Sequence, residues 1–104
     1  MKMDAEVVTL CKALNRMPGI RTIESCCGHG GSPYHIWLKA NGLKFLPKML
    51  YWFMSCHCGF SGWRIIVTTD CGMSPVTFLI EGPTGELAYV QSAEIAKLIE
   101  EAIP

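Results

Sequence analysis

With 104 residues, half of them hydrophobic, the chain can bury one core but not two, so a single domain over 1–104 is expected. Only 17% of residues are charged and the formal net charge is zero, which excludes a charge-solvated disordered chain and argues against a strong nonspecific nucleic-acid binder. No basic-plus-apolar leader and no bilayer-length apolar run is visible, so the expectation is a cytoplasmic protein with no membrane partner.

The charge is unevenly spread. Residues 1–64 hold eight Lys/Arg against Asp4, Glu6 and Glu24, whereas Lys97 and six carboxylates lie beyond. A basic first part suits phosphates, but it contains no basic run, and ordinary solvated charge is the simpler expectation.

Asp4 is placed to cap a helix whose Val7, Leu10, Cys11 and Leu14 follow helical periodicity, and Pro18-Gly19 stops it. Ile20 to Ser25 reads as a short strand, with Ile20 and Thr22 on one face and Ile23 nearly continuous with the core. The turn-rich Gly28-His29-Gly30-Gly31-Ser32-Pro33 leads into a second strand, Tyr34 to Ala40, which Asn41-Gly42 ends. Leu43 to Met54 is expected to be helical. Pro47 fits either after a separate first turn or at the start of the main helix. The apolar run Met49-Leu50-Tyr51-Trp52-Phe53-Met54 is a buried helix or a partner surface. Trp63 to Thr69 and Val76 to Glu81 read as strands around the turn Asp70-Cys71-Gly72-Met73, and Gly82-Pro83-Thr84-Gly85 is a turn. The last helix carries Ile95, Leu98, Ile99 and Ala102 on one face, starting near Leu87 or at a Ser92 cap.

The chain also echoes itself. Cys27-Gly28 then Ser32-Pro33 opens one strand; Cys71-Gly72 then Ser74-Pro75 opens another. The order of elements is two αββ units, about 4–42 and 43–85, and a closing helix, which suggests an internal duplication. Each hairpin alone would expose an apolar face. The expected fold is therefore α+β: a four-stranded, mainly antiparallel sheet from two αββ units, with helices packed on it and a C-terminal helix.

In a reducing cytoplasm the six cysteines stay thiols, which favours buried thiols, metal ligands or redox chemistry over disulfides. Thiols and imidazoles cluster at Cys26-Cys27-Gly28-His29 and at Cys56-His57-Cys58, with Cys71 apart. Zinc takes four such groups in tetrahedral directions, and Cys27, His29, Cys58 and Cys71 form the most balanced set, although neither cluster has the two-residue gap of a standard knuckle. The alternatives are cysteines packed as small hydrophobes, the expectation for Cys11, or a reactive thiolate at Cys26 or Cys27. His35 reads as an ordinary strand residue.

The run Leu14-Asn15, then Gly19-Ile20-Arg21-Thr22-Ile23-Glu24-Ser25-Cys26-Cys27-Gly28-His29, resembles the Thr-x-Ser-Ser-Cys-x-Gly-Arg signature of the wybutosine-synthesising tRNA methyltransferase family. Gly59-Phe60-Ser61-Gly62 is similar to that family's Gly-Phe-x-x-Ser-Gly segment. The likeness covers about residues 7–82 in outline. It implies an S-adenosylmethionine-dependent methylation of a tricyclic guanine in phenylalanine tRNA, with Ser25, Cys26 and Gly28 facing Ser61 and Gly62 at the cofactor. The chain departs from the pattern at His29, where the family has Arg and its guanidinium fork, and in Cys27 and Cys56-His57-Cys58.

Three functions follow. The first is a small cytoplasmic binding module with a Cys/His-rich loop site for zinc or a small molecule. The second is a relative of an RNA-modifying methyltransferase. The third is an interaction protein that forms homodimers through the aromatic helix 49–54. The functional surface is expected where the two Cys-Gly turns and the 56–62 loop converge.

Overall fold

The computed structural model describes residues 5–41, 43–54, 62–70 and 73–103; the expected cap at Asp4 lies outside them. The described elements are α1 (Ala5–Asn15), β1 (Ile20–Cys26), β2 (His35–Ala40), α2 (Leu46–Met54), β3 (Arg64–Asp70), β4 (Met73–Glu81) and α3 (Glu86–Ala102). This is the expected α+β order. Helix α1 buries Val7, Leu10, Cys11 and Leu14 together with Ala13. Helix α2 starts at Leu46, so Pro47 sits in the first turn, where its missing N–H costs no helical bond. Helix α3 starts at Glu86 on a Gly85 at φ 72°. Ser92 is therefore no cap: it is buried within the helix, and its hydroxyl donates to the Tyr89 carbonyl at 2.9 Å.

The four strands form one antiparallel sheet in the order β1-β2-β4-β3. The two hairpins share a register. The shift that carries Ser32-Pro33 onto Ser74-Pro75 carries Glu24↔Trp37, Ser25↔Ile36 and Cys26↔His35 onto Ile66↔Leu79, Val67↔Phe78 and Thr68↔Thr77. The same shift carries Trp37 onto Leu79, and these two residues pair at the centre of the sheet. The hairpins are thus related by an approximate dyad through that pair, which is the geometry that an αββ duplication would produce.

Period-2 alternation decides the faces. Ile36, Leu38, Ala40, Val76, Phe78 and Ile80 are buried under the helices with Tyr34, Met49, Trp52, Phe53, Trp63, Ile95 and Ile99. The run Met49–Phe53 is thus mainly core: Met49, Trp52 and Phe53 are buried, and only Leu50 and Tyr51 are exposed. The opposite face carries Trp37, Lys39, Arg64, Ile66 and Thr68, half-buried or exposed. Ile23 departs from expectation. It is the extra residue of a bulge between Thr22 and Glu24 and is 51% exposed, because a bulge flips the alternation and puts Ser25, not Glu24, on the core face.

Gly82 is a close-packing point. A Cβ there would lie 2.7 Å from the Trp63 ring. That ring is held by Tyr34 and Phe53, each with centroids 5.5 Å away, and by its Nε1–H donating to Gln91 Oε1 at 2.8 Å. It cannot yield cheaply. Gly82→Ala should therefore lower unfolding stability by about 1–3 kcal/mol, read as a reduced denaturant midpoint with unchanged slope.

Candidate functional site

Strand β1 ends at Cys26, and the chain turns at once through a short 3-10 segment, Gly28–Gly30. Gly28 has φ 81°, and an added Cβ would meet the Pro33 backbone at 3.1 Å, so any other residue would strain the turn. His29 is also left-handed, at φ 51°, a conformation that costs a side-chain-bearing residue on the order of 1–2 kcal/mol. The amide N–H of Gly28 donates to Cys26 Sγ and that of His29 to Cys27 Sγ, each at 3.3 Å. Gly31 and Ser32 close the turn by donating to the Gly28 carbonyl at 3.0 Å.

The turn brings two expected ligands together. Cys27 Sγ lies 3.7 Å from His29 Nδ1. Cys27 is 3% exposed, whereas the His29 side is open to solvent. A third group comes from α3 and was missed in the sequence: Tyr89. Its hydroxyl is held above its ordinary pKa first by its hydrogen bond to the Cys27 side chain, then by burial and by the charges of Cys27 and Glu6, while a backbone bond at Gly30 acts oppositely. The available signal was Tyr89's place one turn before Ser92 on the buried stripe of the last helix.

Below the loop lies Tyr34, fully buried, donating to the Glu6 carbonyl at 3.0 Å. Its ring meets Trp63 edge-on and leans on Tyr89 with centroids 6.4 Å apart. Burial drives its pKa upward, helped by the charges of Cys11, Cys27 and Glu6 and opposed by a bond to the Ser92 side chain. Cys11 is raised by burial too, against bonds to Ser25 and Thr22. It is the packed thiol that the helical pattern implied.

The expected cofactor set is only partly assembled. Ser25 bonds Cys11 on the core side, while Cys26, the next residue along β1, pairs with His35 and projects to the helix-free face. Gly28 and Gly62 do share an end of the sheet: Gly28 abuts Pro33, Gly62 abuts Pro83, and the Tyr34 N–H donates to the Pro83 carbonyl at 3.2 Å. Ser61 and Cys58 lie outside the described residues.

Cys71 also lies outside them, but its neighbours Asp70 and Met73 pair beyond the Ala40↔Val76 pair, at the opposite end from Cys26, His35 and Glu81. The nine residues of β4 separate those ends by about 25 Å. The first Cys-Gly turn and the residues flanking the second, Asp70 and Met73, therefore belong to opposite ends of the sheet, while the expected ligand Cys71 itself lies outside the described residues. Among the described residues, no group of three or more His, Cys, Asp or Glu side chains is arranged to hold a metal, and Cys11, Cys26 and Cys27 are not in disulfides.

On the helix-free face, Cys26, His35, Glu81 and Arg64 occupy successive strands in one transverse row. Arg64 Nε donates to Glu81 Oε1 at 2.6 Å. His35 Nδ1 lies 3.3 Å from the Pro33 carbonyl; since that oxygen only accepts, Nδ1 is the donor in this contact. His35 is half-buried on its strand, as read.

Compared with protein-family models, with curated proteins and with solved structures, the chain matches none. The methyltransferase likeness rests on the short motifs of the chain alone. No helix among the described residues is long and apolar enough to cross a membrane.

The buried hydroxyl and thiol set an alkaline limit. Both are neutral when protonated, and both have folded pKa values above their ordinary 10.0 for Tyr34 and 9.0 for Cys11. Their contribution is complete below those values. It is lost as pH rises past them, because the unfolded chain then releases protons that the folded chain retains. Denaturant titrations at rising pH should show stability falling above 9.0 and more steeply above 10.0. Tyr34→Phe should start less stable, having lost the Glu6 bond, yet fall less steeply above 10.0.

Proposed function

We propose that the chain is a small binding module whose Cys/His loop takes a zinc ion in a reducing compartment such as the cytoplasm, with Cys27 and His29 as two of the ligands. The observation that carries this reading is their separation of 3.7 Å. A tetrahedral zinc with a Zn–S bond of ~2.3 Å and a Zn–N bond of ~2.0 Å holds its sulfur and nitrogen about 3.5 Å apart. The Cys27 sulfur also has hydrogen-bond partners of its own. The His29 amide donates to Cys27 Sγ, and Tyr89 hydrogen-bonds the same side chain, the kind of outer support that orients metal ligands. The other two ligands read from the sequence, Cys58 and Cys71, lie outside the described residues; Gly62, which follows the segment of Cys58, shares the sheet end of Gly28, whereas Asp70 and Met73, which flank Cys71, belong to the other end. The ion would fix the 3-10 turn, and His29 would face solvent at the rim.

Elemental analysis of reduced protein purified without added metal should find one zinc per chain. Cys27→Ser and His29→Ala should lose it and should show the reduced thermal midpoint that a chelator produces in the parent. Cys71→Ser should keep full occupancy. Absence of zinc from the parent, or its loss in Cys71→Ser alone, would refute the assignment.

A further inference from the structure

The two edges of the sheet are built differently. Strand β1 is guarded: it is broken by the bulge at Ile23, and the Thr22 N–H is taken by Asn15 Oδ1 at 2.8 Å, with Asn15 Nδ2 donating back to Thr22 Oγ1 at 2.8 Å. Arg21 and Glu24 add exposed charges along it. These are the devices by which proteins prevent edge pairing. Among the described residues, strand β3 has neither a bulge of its own nor a side chain tying its outward N–H groups, and its two charges, Arg64 and Asp70, stand only at its ends. Its irregularity between Thr68 and Asp70 falls on the partner side, because Thr69 alone separates that pair while Ser74, Pro75 and Val76 separate Met73 from Thr77. The strand itself runs unbroken over seven residues, Arg64–Asp70, and Ile65 to Thr69 are all β-branched. Among the described residues, no hydrogen bond other than those to β4 and Glu81 reaches β3. Its apolar side chains stay open on both faces, Ile66 at 37% and Val67 at 39%, although neighbouring Leu79 is half-buried and Phe78 fully buried.

We propose that β3 is a self-pairing edge, through which a second copy of this chain joins antiparallel about a two-fold axis at Val67. The charge pattern selects this occupant. Arg64 and Asp70 stand at equal distances on either side of Val67, so the two-fold register sets Arg64 of each copy opposite Asp70 of the other. It also sets Ile66 opposite Thr68, Ile65 opposite Thr69, and Val67 opposite its own equivalent. Opposite charges directly across an antiparallel pair stabilise it, and a β-branched pair at the axis packs well. The contact is isologous, and the guarded β1 edges stop further addition, so pairing closes at a dimer and not a fibre. This surface differs from the aromatic helix as a dimer contact and is independent of the zinc reading.

Sedimentation velocity of the full chain over a concentration series tests it, together with hydrogen exchange. The parent should dimerise, and the amides of 64–70 should exchange more slowly at high concentration while those of 20–26 do not change. Val67→Lys sets two ammonium groups at the axis, and Asp70→Lys replaces each attractive end pair with a repulsive one. Each should weaken dimerisation by about tenfold or more, with circular dichroism unchanged. Asp70→Lys lies at the end of the strand and serves if Val67→Lys does not fold. A parent that stays monomeric throughout, including one whose β3 captures only an extended peptide, overturns the proposal. So does a dimer that survives both substitutions, or one that Ile23→Lys on β1 disrupts instead.

Discussion

The antiparallel pairing of β2 with β4 is the constraint on which the other features depend. It sets Trp37 against Leu79 and aligns Ile36, Leu38 and Ala40 with Ile80, Phe78 and Val76 on one buried face. Each central strand then carries its own hairpin partner outward, β1 on one side and β3 on the other. The helices must cover the single apolar face this creates, and α1 and α3 pack against each other there, with α1 also against β1 and α2 against α3 and β3. The opposite face is left to Trp37, Lys39, Ile66 and the row containing His35, Glu81 and Arg64. An antiparallel centre has a second effect. The start of β2 lies at one end of the sheet and the start of β4 lies at the other.

One of those ends has become the chemically furnished one. Tyr34 continues the ladder past β2, with the Gly82 N–H donating to its carbonyl at 2.7 Å. Its ring joins Trp63, Phe53 and Tyr89 in a continuous aromatic group beneath the loop. That group does two things at once. It buries the large rings that stabilise the end of the sheet, and it brings α3 close enough for Tyr89 to reach the Cys27 side chain. The strained left-handed His29 persists because the turn around it is held by N–H···S bonds and by its contact with Cys27. Local strain and tertiary packing therefore support the same loop.

Much of this was legible in the residues. The apolar stripe of α1, the stop at Pro18-Gly19, Pro47 in a first helical turn and the alternation of β2 and β4 all follow from local rules that act within a few positions. The turn at Gly28 was legible because glycine is the residue that tolerates its backbone angle and its approach to Pro33. Ile23 was not legible, since a bulge is decided by what the neighbouring strand offers and not by the strand's own pattern. Ser92 reads as a cap because its side-chain chemistry suits one, but burial against the core turns its hydroxyl back to its own helix.

The sequence by itself determined which segments are helices and strands, which faces are apolar and that Cys27 and His29 share a turn, because these depend on neighbours along the chain. Only the tertiary structure decided which distant residues meet. Antiparallel pairing separated the residues flanking Cys71 from Cys27, and packing of α3 brought in Tyr89. The bulge and Asn15 closed one sheet edge while the other stayed open. These outcomes depend on strand direction and on helix docking, and no spacing along a single chain encodes either in a form that can be read locally.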